Sequence, residues 1–163
     1  MQYKKEEVVW GLLRLSMGFI FLWAFFDKLF GLGFSTVKDK SWILGNSPTF
    51  GFLKSGTHGI FSSIFQSLAG NHLVDWLFML GLLFIGVALI FGVLIKMASY
   101  AGFVMMLLMW SALLPPANNP ILDDHIIYAI ILYGISVTNS SKFLSFSKRW
   151  ENTNMVKKYP ILR

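Results

Sequence analysis

The sequence predicts an all-α integral membrane protein, a four-helix bundle with a short amphipathic helix in its first outer loop. Charged residues make up only 13% of the 163-residue chain and hydrophobic residues 55%, which leaves too few charges to cover a soluble domain. Four long apolar runs lack the two-residue alternation of membrane strands. Because backbone groups in hydrocarbon must satisfy their own hydrogen bonds, all four runs are predicted to be helices.

The four runs are predicted to cross the membrane within a single domain. The predicted spans are residues 8–26, 73–95, 98–114 and 125–139, with an outer loop at 27–72 and a cytoplasmic tail at 140–163. The last two spans are short, so we expect flanking residues to extend them or the bilayer to thin locally. The first span is expected to be retained, because no small-x-small cleavage site follows it and Arg14 interrupts its apolar centre.

Basic residues predict the orientation. The tail after the fourth span carries Lys142, Lys148, Arg149, Lys157, Lys158 and Arg163, whereas the loop at 115–124 has no basic residue. Lys4 and Lys5 precede the first span, so both termini are predicted to be cytoplasmic in the plasma membrane of a prokaryote. The net charge of +6 is expected to meet anionic lipid headgroups and not nucleic acid.

The first outer loop contains an amphipathic segment between residues 59 and 69. Its apolar residues recur at helical spacing: Ile60, Phe61, Ile64, Phe65 and Leu68. Two interpretations stay open. The helix is either a lid over a lipid-accessible pocket or an interfacial helix that seals the outer end of the bundle.

Arg14 shares one side of the first span with Gly11 and Gly18, which predicts that it faces the bundle. A guanidinium near hydrocarbon costs about 2.5–3.5 kcal/mol on insertion scales unless it is paired or hydrated. Arg14 is therefore a candidate partner for an anionic or carbonyl-bearing ligand. The alternative is an arginine that snorkels or binds backbone carbonyls.

A second group of polar residues lies at the outer helix ends. Its members are Asp27, Lys28, His72, Asp75, Asp123, Asp124, His125 and Tyr128. A carboxylate beside an imidazole suits proton transfer, which makes Asp124, His125 and Tyr128 the candidate catalytic residues. Lys28 and Asp123 are candidate ligand-binding residues. The alternative is that one of the two aspartates only caps the last span.

Several chemistries are excluded or disfavoured. A chain without cysteine cannot exchange disulfides or hold an iron–sulfur cluster by thiolates. No metal-ligand spacing or phosphate-binding loop occurs, so no metal and no tightly bound cofactor is predicted. A haem between His72 and His125 is disfavoured because histidines in loops and caps are commoner.

Three motifs resemble the DoxX/DoxD family of small membrane proteins. They are Arg14-Leu-x-x-Gly18 followed by Asp27-Lys28-Leu29, the loop segment Gly45-Asn-Ser47-Pro48-Thr49, and Asn119-Pro120-x-x-Asp123-Asp124-His125-x-x-Tyr128. The resemblance implies a four-helix membrane fold. For the DoxD branch it also implies a subunit of a thiosulfate:quinone oxidoreductase, which oxidises thiosulfate to tetrathionate together with a second subunit, DoxA.

Two functions from different classes are consistent with the sequence. In the first, the chain is a quinone-linked redox subunit, with Asp124, His125 and Tyr128 relaying protons, Lys28 attracting an anionic donor and Arg14 orienting a quinone oxygen. Its expected partners are membrane lipids, a DoxA-like subunit and further copies of the chain. In the second, the chain is a non-enzymatic scaffold or a small-solute or lipid-binding protein.

Overall fold

A computed structural model describes residues 3–138, 140 and 143–159 of the chain. Within these ranges the regular structure is helical. The α-helices are α1 (Lys5–Phe30), α2 (Ser62–Ser67), α3 (His72–Phe91), α4 (Ile95–Ala112), α5 (Asp124–Val137), α6 (Ser147–Glu151) and α7 (Asn154–Lys158). The first outer loop adds 3-10 turns at Lys38–Lys40 and Trp42–Leu44 and a π-helix at Phe52–Gly56. Lys142 and Arg163, used above for orientation, and Asn139, the predicted end of the fourth span, lie outside the described residues.

The four predicted spans correspond to α1, α3, α4 and α5. The first three have 26, 20 and 18 residues, and each is long and apolar enough to cross a membrane. By their length and composition, these three helices indicate a membrane protein. Helix α5 has 14 residues and rises only about 21 Å at 1.5 Å per residue, less than the ~30 Å of a bilayer core.

Local sequence signals set the helix ends. Gly31 and Gly92 follow α1 and α3 with left-handed φ values of 67° and 69°, and their amides donate to Asp27 O and Ala88 O. The side chains of Asn71 and Asp123 cap α3 and α5 by accepting from the amides of Leu73 and Ile126.

The four long helices pack in a closed order, with α1 and α4 each lying against both α3 and α5. Glycines allow α1 and α3 to approach closely. A Cβ at Gly18 would lie 2.9 Å from Ile90 N, and a Cβ at Gly86 would lie 2.8 Å from Leu22 N. Gly11, Arg14 and Gly18 are all buried, which confirms the predicted inward face of the first helix.

This packing defines two ends of the molecule. At the Arg14 end lie the start of α1, the end of α3, the start of α4 and the segment after α5. At the loop end lie the end of α1, the start of α3, the end of α4 and the start of α5.

The predicted amphipathic helix is present at the loop end but is shorter than expected, and α6 and α7 in the tail were not predicted from the sequence.

Candidate functional site

A cavity of about 530 Å³ lies between α3 and α4 beneath the first outer loop. We name it the lateral cavity. Its two main walls are formed by Leu77, Phe78 and Gly81 of α3 and by Val104, Met105 and Leu108 of α4. Its size falls within the range of pockets that hold small organic ligands, and its walls are almost entirely apolar.

The lateral cavity opens sideways between the two helices. Leu77, Val104 and Leu108 line it and are nonetheless 63%, 53% and 54% exposed. In a membrane, side chains exposed at this depth of an apolar helix contact lipid. At the deep end, Ile85 lines the cavity and is fully buried. The lateral cavity is thus open on its side and closed at its deep end.

The first outer loop forms a roof over the lateral cavity. Phe52 and Leu53 of the π-helix line it, as do Phe65 of α2 and Leu68 directly after it. The roof is attached to the end of α4, because the His58 amide donates to Ala112 O at 3.2 Å. This arrangement supports the lid interpretation of the amphipathic segment.

Asp75 attaches the same loop to the start of α3. Its Oδ1 accepts from Ser47 Oγ at 2.7 Å and from Thr49 Oγ1 at 2.6 Å, and the carboxylate is buried. Thr49 and the neighbouring Pro48 line the lateral cavity. The Ser47-Pro48-Thr49 motif and Asp75 thus shape the cavity rim.

Lys28 is the one charged side chain among the described residues that line the lateral cavity. It lies in the last turn of α1 and is half-buried. The neighbouring carboxylate of Asp27 turns to the loop instead, accepting from the amides of Phe34 and Ser35 at 3.1 and 3.0 Å and from Ser35 Oγ at 2.6 Å. Within the described part of the chain, Lys28 has no ion-pair partner.

Arg14 is fully buried at the opposite end of the molecule. Its guanidinium donates to Leu89 O and Ile90 O at the end of α3, the latter at 3.1 Å, and to Ser140 O at 3.2 Å. It also donates to Phe143 O at 2.8 Å and Leu144 O at 2.9 Å. These bonds use all five N–H donors of the side chain. The structure therefore favours the carbonyl-bound alternative for Arg14 over ligand contact.

The polar residues at the start of α5 divide into two roles. Asp123 is the N-cap, and its other oxygen lies 2.8 Å from His125 Nδ1. Asp124 is exposed to solvent as the first residue of α5. The carboxylate beside the imidazole is thus Asp123 and not Asp124, which was the carboxylate predicted to be catalytic. Tyr128, one turn further on, packs against the core.

The predicted site residues therefore lie in three separate places. Arg14 is at the Arg14 end, Lys28 is in the wall of the lateral cavity, and Asp123 with His125 is at the start of α5. None of the described cavity-lining residues belongs to the group at 123–128. The sequence analysis offered a pocket beneath the amphipathic segment as one interpretation, but it did not place the walls of that pocket on α3 and α4.

No family model matches the chain, and neither a curated protein nor a solved structure matches it. The class of protein is therefore defined by fold and site alone: over the described residues, a helical protein with three helices long and apolar enough to cross a membrane and a cavity that opens sideways between two of them.

Proposed function

We propose that the chain is a four-helix protein of a prokaryotic plasma membrane that binds a lipid-soluble molecule in the lateral cavity. One observation carries this proposal: an apolar cavity of about 530 Å³ opens between two helices whose rims are exposed at membrane depth. A packed protein interior has few voids of this size. An apolar molecule in the cavity would restore the missing contacts.

We propose that α5 is the fourth membrane-spanning helix. Ile127, Ile130 and Val137 form an exposed apolar stripe along it, with 47%, 60% and 61% exposure, and its other side packs on α1 and α4. Such a stripe is suited to lipid and not to water. Local thinning of the bilayer would accommodate its 14 residues.

The proposed orientation puts the Arg14 end in the cytoplasm. Lys4, Lys5, Lys96 and the basic residues of α6 and α7 are at that end, as the positive-inside rule favours. Lys38, Lys40 and Lys54 belong to the long outer loop, where the rule has less force.

Single-cysteine labelling tests this topology, since the chain has no cysteine of its own. Ser55 in the outer loop and Asn152 in the tail are both exposed. We expect an impermeant maleimide on intact cells to label Ser55→Cys and to label Asn152→Cys only after the cells are lysed. Labelling of Asn152→Cys alone on intact cells would reverse the orientation, and labelling of both would require an odd number of spans.

Photolabelling of the purified chain tests the binding function. A neutral long-chain alcohol with a diazirine in its tail is expected to form adducts mainly on Met105 and Leu108. Ala101→Phe places a ring in the lateral cavity and should reduce these adducts by at least about tenfold, equivalent to roughly 1.4 kcal/mol of lost binding. The matched control, Ile130→Phe, adds the same ring to the lipid-facing surface of α5 and should leave the adducts unchanged. Adducts spread evenly over all exposed helices, unaffected by Ala101→Phe, would contradict the proposal.

The second candidate function is quinone reduction. The pair formed by Asp123 and His125 at the loop end favours it, because a carboxylate that orients an imidazole is a common arrangement for proton transfer. The resemblance to the DoxX/DoxD family suggests thiosulfate as the electron donor. Oxidation of two thiosulfate ions to tetrathionate releases two electrons, and a quinone takes these with two protons to become a quinol. A DoxA-like partner would handle the donor, while this chain would supply protons.

A further inference from the structure

Lys28 is the feature of the lateral cavity that an apolar ligand alone does not explain. An ammonium group facing an apolar wall is costly unless an opposite charge accompanies it. The adjacent carboxylate of Asp27 attracts the Lys28 ammonium electrostatically, but its oxygens bind the loop at Phe34 and Ser35 and form no direct ion pair with Lys28. Among the described residues no other carboxylate lies within ion-pair distance of Lys28.

The position of Lys28 fits the headgroup end of an amphiphile. It lies in the last turn of α1 at the loop end, near the level where headgroups meet water. From Val74 to Ile85 the cavity wall on α3 spans twelve residues, and the eleven steps between them give about 16 Å along the helix at 1.5 Å per residue. A hydrocarbon chain can lie along this wall with its polar end beside Lys28.

The single positive charge of Lys28 favours a headgroup with a single negative charge. A carboxylate carries one negative charge, whereas a phosphate monoester carries about −1.5 to −2 and binds through several donors, often arginines or helix amides. No arginine lines the cavity in the described part of the chain. The nearby hydroxyl of Thr49 already donates to Asp75, and the amide of Leu73 at the start of α3 is capped by Asn71.

We propose, building on the proposed binding function, that the ligand of the lateral cavity is a long-chain carboxylate whose headgroup pairs with Lys28 while its chain lies between α3 and α4. The roof formed by Phe52, Leu53, Phe65 and Leu68 covers the ligand from the aqueous side. The ligand enters and leaves through the lateral opening between Leu77 and Leu108.

The test compares three photoreactive probes with the same hydrocarbon tail: a fatty acid, the corresponding alcohol and the corresponding monoalkyl phosphate. The full chain is used in phosphatidylcholine nanodiscs. In the wild type the acid is expected to bind more tightly than the alcohol and the phosphate. Lys28→Gln should weaken acid binding by about tenfold to hundredfold, the effect expected for one charge-assisted hydrogen bond, while alcohol binding stays the same.

Two variants control for charge and for folding. Lys28→Arg keeps the positive charge and should retain the preference for the acid. Lys54→Gln removes an exposed lysine of the first outer loop and should leave the binding of all three probes unchanged. Equal binding of acid and alcohol, or a Lys28→Gln variant that still prefers the acid, overturns the carboxylate assignment but leaves the cavity function intact. Tighter binding of the phosphate also overturns it. If no probe forms adducts in the lateral cavity, the proposed binding function itself is wrong.

Discussion

Replacing Arg14 with leucine is expected to destabilise the folded chain by at least about 3 kcal/mol, although the change makes the first span more apolar. The loss leaves the carbonyls of Leu89, Ile90, Ser140, Phe143 and Leu144 without their shared donor. A buried acceptor left unsatisfied costs about 1–3 kcal/mol. The end of α3 also loses a positive charge at the negative end of its dipole.

Thermal unfolding in detergent measures this effect, and a drop in Tm on the order of 10 °C is expected. Arg14→Lys keeps the positive charge but offers three hydrogen-bond donors and not five. Its Tm should therefore lie between those of the wild type and of Arg14→Leu. The matched control is Arg149→Leu, which removes an exposed arginine of α6 and should have little effect. An Arg14→Leu protein with unchanged Tm but impaired ligand binding would return Arg14 to a ligand-contacting role.

If the redox candidate is correct, His125→Gln is expected to lower the rate of donor-dependent quinone reduction by roughly 10²–10⁴-fold. This is the usual contribution of a positioned acid or base, which the variant loses with its imidazole. Asp123→Asn should lower it less, since asparagine still caps α5 but no longer orients the imidazole as a carboxylate. The assay uses membranes that contain the chain with its native partners, thiosulfate as donor and a soluble quinone as acceptor.

Asp124→Asn is the internal control for this experiment. Asp124 is exposed and Asp123 provides the cap, so the substitution should leave both the rate and the stability unchanged. A His125→Gln variant with full activity would show that protons take another route. If wild-type membranes reduce no quinone with thiosulfate, the redox candidate fails and the binding function stands alone.

The helical class, the long helices and the inward face of α1 could be predicted from the sequence, because they depend on local properties. Apolar runs and the absence of two-residue alternation identify helices in hydrocarbon regardless of how those helices pack. The spacing of Gly11, Arg14 and Gly18 fixes a shared face through the period of the helix alone. The roof helix could likewise be predicted from its periodicity, though its ends could not.

The tertiary structure decided which groups meet. The carbonyls bound by Arg14 lie 75 to 130 positions away in the chain, and only the packing of α1 against α3 and the path of the chain after α5 bring them together. The choice of Asp123 over Asp124 as cap depends on the backbone turn before α5. The lateral cavity depends on the separation of α3 and α4 and on the loop above them. Helix rotation and loop path are set by contacts distant in sequence, and local pattern does not encode them.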